Sequence, residues 1–408
     1  MLFGTFYFVQ GVCEPTEGLI SQPVRSLLRS WKYDAAAIGD FGALIAIPWT
    51  IKPLYGLLTD FLPLLGSRRR SYLVLSTLLG AVSLLALYME HLTPAMHSKL
   101  LLLLLLPTVA VAFGDVVVDA LMVEHGQPLR LTGQLQSVQW GAIWTGSILA
   151  GWLGGYLSEH KLQPLGFLIC GCLLLVTFAC AVLFVRERKT VRPSFRATTA
   201  ALRSAAGNRT LWAAALFILV WAFNPCSSAV LYVHLTRDLG LGEQFYGEMM
   251  SIQAAAAMVA SFAYGLYCGR VRMRWLLYAS VVLGTLSVGT YAAMYDETSG
   301  RLASVAFGFS YATATMIQLD LCARVAPVAA AGTVFALLMS MNNIAIALAN
   351  FAGGRWHRAL ELSGGAQYSF EVLVAISAAF TASSCLLVPL LVPREALESP
   401  VEPTSDEA

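Results

Sequence analysis

The chain runs to 408 residues, 57% of them hydrophobic and 12% charged, where an average soluble domain carries about 25% charged residues. A mean hydropathy of +0.68 is more apolar surface than a water-soluble core can hide, and a net charge of only +2 offers no basic face for nucleic acid. The eight cysteines are scattered, mostly in apolar runs, and form no CxxC pair and no disulfide-like framework, so they read as small apolar packing residues.

A membrane helix needs about 20 apolar residues. By that measure the chain is expected to form twelve, at 2–28, 36–60, 71–91, 99–125, 132–158, 163–186, 210–236, 244–268, 275–295, 301–325, 331–357 and 367–392. The opening MLFGTFYFVQG lacks the basic n-region and cleavage site of a signal peptide, so it reads as the start of a retained helix. The longest polar stretch falls between the sixth and seventh segments and divides the chain into six plus six. The expected architecture is therefore all-α. A bundle over 1–186, a central loop over 187–209 and a bundle over 210–392 precede an acidic tail, 393–408, whose composition predicts disorder. Sixteen Lys and Arg fall in one set of loops and nine in the other, which predicts both termini and the central loop in the cytoplasm.

Charges inside these segments carry the functional signal, because an ionisable group at lipid depth marks a pathway or a partner. The first segment contains Glu14 and Glu17, three apart and expected on one face of a helix bent by Pro15. The second contains Lys52 between Pro48 and Pro53, followed by Gly56 and Asp60 and, past a short turn, by Arg68, Arg69 and Arg70. The fourth contains Asp115 and Asp119, one helical turn apart. The tenth contains Asp320 and Arg324, whose spacing predicts an ion pair across one turn.

Paired carboxylates on one shielded face resist ionising together, which suits them to take up and release a proton. Glu14, Glu17, Asp115 and Asp119 are therefore the candidate proton-coupling residues. The competing reading is that they pair with Lys52 and lock helices together. Lys52 is open to two readings, as the counter-charge of Asp115 or Asp119, or as the partner of an anionic substrate. Trp49, Trp140, Trp144 and Trp221 offer flat faces to an aromatic ligand, although packing also uses such residues. In the fifth segment, Gly151 and Gly155 form a small-xxx-small pattern for close helix approach.

The two halves echo one another. Tyr55-Gly56 and Tyr264-Gly265 each precede an arginine cluster, and Asp119 and Asp320 occupy the fourth helix of their halves. Such repetition suggests a transporter duplicated from six helices. There is no GxxxxGK[ST], HExxH or GxSxG motif, and the six histidines show no metal-ligand spacing, so neither an ATP motor, an enzyme, a cofactor nor a bound metal is expected.

The G-x-x-x-D pattern followed by arginines in 47–72 resembles the motif between the second and third helices of the major facilitator superfamily. More closely, YFVQG (7–11), IPWTIKPLYGLLTD and GSRRRSYL (47–73), GDVVVDALMVE (114–124), LQSVQWG (135–141) and GTVFALLMSMNN (332–343) resemble the folate-biopterin transporter family. The resemblance implies two six-helix bundles, a central cavity, alternating access, and carriage of folates or pterins coupled to protons, by a monomer in the lipid bilayer. It carries Lys52, Asp60, Arg68, Arg69, Arg70, Asp115 and Asp119 over as functional positions, with Gly56, Asp60 and the arginines as a cytoplasmic gate. It adds Asn342 and Asn343 as polar candidates in the eleventh helix. The segment VCEPTEGLISQP (12–23) stands outside the family's pattern. A permease for another solute, such as a muropeptide or a nucleoside-like metabolite, is the alternative, with a membrane enzyme or sensor behind it.

Overall fold

The computed structural model describes residues 2–62, 64, 67, 69–126, 132–185, 203, 207–268, 270–325 and 331–391. Most of the expected central loop and all of the acidic tail lie outside them. Apart from an isolated bridge between Leu64 and Ser67, the described residues form helices and the turns that join them.

The first expected span is two helices, α1 (Leu2–Cys13) and α2 (Ser21–Ser30), rather than one bent helix. The Glu14 carboxylate accepts the Thr16 N–H at 2.9 Å, the Thr16 hydroxyl at 2.6 Å and the Glu17 N–H at 2.5 Å, closing a turn where Pro15 has no N–H to give. Gly18 completes that turn: a Cβ there would lie 2.4 Å from the Val12 carbonyl oxygen. The expectation that Glu14 and Glu17 share a helical face is thus corrected, because both lie in the break.

The second span kinks at Ile51, between α3 (Ala35–Thr50) and α4 (Lys52–Phe61). The first half is completed by α5 (Arg70–Met89), α6 (His97–Gly126), α7 (Thr132–Glu159) and α8 (Gln163–Phe184). The second half mirrors the first at its start. The helix α9 (Arg209–Ala222) stops before Asn224-Pro225, and the chain resumes as α10 (Ser228–Val233) and a π-helical turn, His234–Asp238. Then come α11 (Glu243–Tyr267), α12 (Met273–Gly289), α13 (Glu297–Val325), α14 (Ala331–Ser383) and α15 (Val388–Leu391). Within α14, Gly365 adopts φ 87°, ψ 172°, so this stretch is two spans joined at a glycine. Counting each broken or kinked pair once gives twelve passes through the bundle among the described residues.

Alternate passes define two ends, a near end holding the start of α1 and a far end holding the α2–α3 turn. At the far end one continuous apolar cluster joins the halves, with Leu19, Ile20 and Leu28 packed together with Tyr232, Tyr246 and Phe370. At the near end each half keeps its own cluster, around Tyr7, Tyr55 and Phe113 in the first and around Phe217, Leu277 and Leu338 in the second. Close backbone approach seals the far end. A Cβ on Gly247 of α11 would fall 2.3 Å from the Gly151 carbonyl oxygen of α7, and one on Gly354 of α14 would fall 2.5 Å from that of Ala35. Large apolar side chains such as Leu266 and Leu386 remain exposed on the outer surface, as a lipid-facing belt requires.

Candidate functional site

Three adjoining cavities lie between the halves, and Glu17 borders all three. The largest, about 300 Å³, is walled by α7 residues Trp144 and Ser147, by Arg25 of α2, and by Tyr246, Gln253 and Tyr311 of the second half. The next, about 170 Å³, reaches into the second half and is lined by Trp221, Asn224, Tyr291, Tyr311 and Thr381. The larger cavity falls at the lower end of the roughly 300–1,000 Å³ range typical of small-molecule sites.

The break after α1 is what brings Glu17 there. Glu14 is spent on the turn itself and also accepts the Trp49 indole N–H at 3.0 Å. Glu17 is exposed to the cavity and, among the described residues, its carboxylate makes no hydrogen bond or ion pair. Arg25, one helical turn into α2, donates to the Thr16 carbonyl at 3.1 Å, the Ser228 hydroxyl at 3.1 Å and the Tyr246 hydroxyl at 3.4 Å, tying the first break to the second half. Further buried polar atoms on the cavity walls lack any partner: the Trp144 indole N–H, the Gln253 side-chain amide nitrogen and the Asn224 side-chain oxygen. Unpaired buried donors and acceptors are costly in a folded protein, and their gathering around one cavity marks a site that a polar ligand completes.

A second polar cluster sits inside the first half, beside the cavities rather than in them. Lys52, at the start of α4, pairs with Asp115 of α6, their side chains 14% and 6% exposed. Gln10 of α1 donates to the other Asp115 oxygen at 2.7 Å. One turn along α6, Asp119 accepts the Tyr7 hydroxyl at 2.5 Å and the Gln139 amide at 3.1 Å. The lysine also lies 4.9 Å above the Trp49 ring. Asn343 of α14 crosses between the halves and donates to the Trp49 carbonyl at 2.9 Å. Two carboxylates therefore lie near one lysine in a largely buried cluster, a set that is neutral only when one carboxylate carries a proton.

The remaining expected residues lie outside the Lys52 cluster. Trp140 stacks loosely on Trp144, ring centroids 6.0 Å apart, and packs against the second half's core. Trp221 is buried, donating to the Ser280 carbonyl at 3.1 Å while it borders the smaller cavity. Asn342 borders neither of the two larger cavities. Arg324 is bidentate to Asp320, at 3.0 Å for each bond, and Asp320 also accepts the Tyr264 hydroxyl at 3.0 Å.

Of the expected gate, Gly56 lies on α4 over Val116, while Arg68 and the Asp60 side chain lie outside the described residues. Arg69 is buried and donates to the Thr59 hydroxyl at 3.1 Å; Arg70 reaches the Val182 carbonyl at 2.5 Å, at the end of α8. These bonds stay within the first half. The residues that sequence reasoning missed are Tyr7, Gln10, Arg25, Gln139, Asn224, Tyr246 and Gln253. Tyr7, Gln10 and Gln139 were in view, inside the YFVQG and LQSVQWG segments.

The family model described as the BT1 family matches residues 17–407. The "Folate-biopterin transporter" of Synechocystis sp. is 33% identical over 358 residues, covering 84% of this chain and 71% of the relative. The "Probable folate-biopterin transporter 4" of Arabidopsis thaliana is 26% identical, covering 86% of each chain. "Folate transporter 1" of Plasmodium falciparum is 24% identical over 75% of this chain and 63% of its own. Among solved structures, a nucleoside transporter NupG (D323A mutant) superposes with a TM-score of 0.74 at 14% identity, covering 96% of this chain and 99% of its own. A D-xylose-proton symporter gives 0.74 at 13% identity over 96% and 97%. At these identities the structures speak to the fold alone, an all-helical bundle of two halves.

Proposed function

The chain belongs to the BT1 family, and on that footing we propose that it is a secondary transporter that moves pterin- or folate-type solutes by alternating access, coupled to protons. The observation that carries the reading is Glu17, an unpaired carboxylate at the meeting point of three cavities between two halves. A pterin ring presents an N–H beside an NH₂, and a carboxylate accepts both in a two-point bond. The flat faces of Trp144, Phe307 and Tyr311 on the same walls suit the ring plane.

The two clusters divide the work. Glu17 holds solute, and the Lys52–Asp115–Asp119 cluster holds the proton. Protonation of the Asp115/Asp119 pair removes its excess negative charge and alters what α1, α4, α6 and α7 share, through Tyr7, Gln10, Lys52 and Gln139. Those helices carry the walls of the first half past the second. The shared far-end core and the separate near-end cores support a state closed at the far end. With the termini in the cytoplasm, as the arginine distribution favours, the state is closed to the outside. Asp60 and Arg68 to Arg70 then serve as the cytoplasmic gate that the family resemblance implies, and the protein works as a monomer.

The test is uptake of labelled biopterin and of labelled folate into vesicles carrying the purified protein, with and without an inside-alkaline pH gradient. Gradient-driven accumulation of either solute supports the reading; uptake that ignores the gradient removes the coupling. Uptake of nucleosides but of neither pterin nor folate would give the site to another solute.

A further inference from the structure

We infer that the cavity reads a ring carbonyl through Trp144 and Gln253 and selects an uncharged pterin head over a glutamate-conjugated one; this rests on the reading of the cavity as the solute site. Both residues border the largest cavity, from opposite halves, and each keeps a buried donor with no acceptor in the protein. Glu17 on the same cavity is an acceptor without a donor. One wall therefore asks for hydrogen-bond donors and the others for an acceptor. A lactam-bearing heterocycle such as pterin supplies both along one edge, since its N–H stands next to its carbonyl. Solute seated against Glu17 offers that carbonyl to Trp144 and Gln253, and only a solute in contact with both halves satisfies all three groups.

The charge balance sets the second half of the inference. Among the described residues bordering the three cavities, the one cation is Arg25, and Glu17 offsets it. Its guanidinium is already engaged with Thr16, Ser228 and Tyr246. Lys52, open from the sequence to an anionic substrate, is held instead by Asp115, and Arg324 is held by Asp320 as its spacing predicts. A glutamate tail would bring two negative charges into this setting with no free cation among the described residues that border the cavities, and an unpaired charge out of water is strongly disfavoured.

The experiment is competition against labelled biopterin uptake in proteoliposomes, comparing pterin, folic acid and 2,4-diaminopteridine, in which an amino donor replaces the carbonyl and the adjacent ring nitrogen carries no hydrogen. Wild type is expected to prefer pterin to each of the others by at least about tenfold, or about 1.4 kcal/mol. Trp144→Phe and Gln253→Ala are expected to weaken pterin while leaving 2,4-diaminopteridine unchanged, so that the preference shrinks. Gln253→Glu is expected to shift it toward the diamino compound. Loss of both ligands in parallel would make these residues structural and overturn the carbonyl reading. Folic acid competing as well as pterin would overturn the charge selection while leaving pterin transport intact. Absence of biopterin and folate uptake in wild type would remove the transport reading and this inference together.

Discussion

Replacing Lys52 by methionine separates its two sequence-level roles. In the structure Lys52 faces Asp115 with both side chains largely buried. Removing the lysine leaves Asp115 with the Gln10 amide and leaves Asp119, one turn away, as a second carboxylate without a counter-charge. Removing one partner of a buried pair costs about 3–5 kcal/mol, whereas replacing both is often near neutral. Residual exposure of the lysine argues for the lower figure, about 3 kcal/mol. If each six-helix half unfolds as a unit, 1 kcal/mol corresponds to about 2–4 °C, so the midpoint falls by about 6–12 °C. The assay is thermal unfolding of the detergent-solubilised protein at pH 7.5, for Lys52→Met, Asp115→Asn and the double variant. The double variant is expected within about 1 kcal/mol of wild type. Residual uptake of pterin and of folate is expected to fall by the same factor in the single variant. A wild-type midpoint for Lys52→Met, or a selective loss of folate, would refute the pairing and return Lys52 to the solute.

Other substitutions probe the cavity and the far-end seal. Glu17→Gln removes one charged acceptor and places an NH₂ against the solute's donors; a charge-assisted bond contributes about 1.5–3 kcal/mol, so the apparent affinity for biopterin drops at least about tenfold. An unchanged KM would exclude Glu17 from the site. Gly247→Leu cannot fit against the Gly151 backbone and is expected to part the far end, read as labelling of a cysteine placed at Ala254 by a membrane-impermeant maleimide from the far side; protection equal to wild type would contradict the seal. At the far end Asp34 pairs with Arg358 and caps α3. Partial burial pushes its carboxyl up, but the Ala37 N–H and Arg358 outweigh it, so it is held below its ordinary value. Its contribution is therefore complete above about pH 4 and is lost only as pH falls through the lowered value. Asp34→Asn is expected to leave the pH profile of uptake between pH 5.5 and 8 unchanged; a shifted profile would assign proton sensitivity to this latch.

The twelve spans were legible because lipid allows little besides long apolar helices, and periodicity within a helix survives folding. Asp115 with Asp119, and Asp320 with Arg324, needed only the helical repeat. The breaks were legible in part. Pro15 and Gly18 announced an interruption, but the Glu14 carboxylate closing the turn on Thr16 and Glu17 depends on local geometry that a helix reading suppresses. This is why two glutamates expected to act alike do different things. Partners from other passes, such as Tyr7 and Gln139 on Asp119 or Arg25 on Tyr246, are 112, 20 and 221 residues apart, and no spacing rule reaches them. Gln253 and Asn224 drew no notice because a neutral amide in an apolar segment carries no charge signal. Only the cavity, and the lack of any partner within it, sets them apart.

Proton coupling through Asp119 is tested most directly by proton-driven accumulation of labelled biopterin in proteoliposomes containing wild type or Asp119→Asn, measured beside solute exchange without a gradient. Wild type is expected to concentrate the solute above equilibrium when the lumen is alkaline, and the variant to lose this accumulation while keeping exchange. Accumulation by Asp119→Asn at the wild-type level would contradict that coupling.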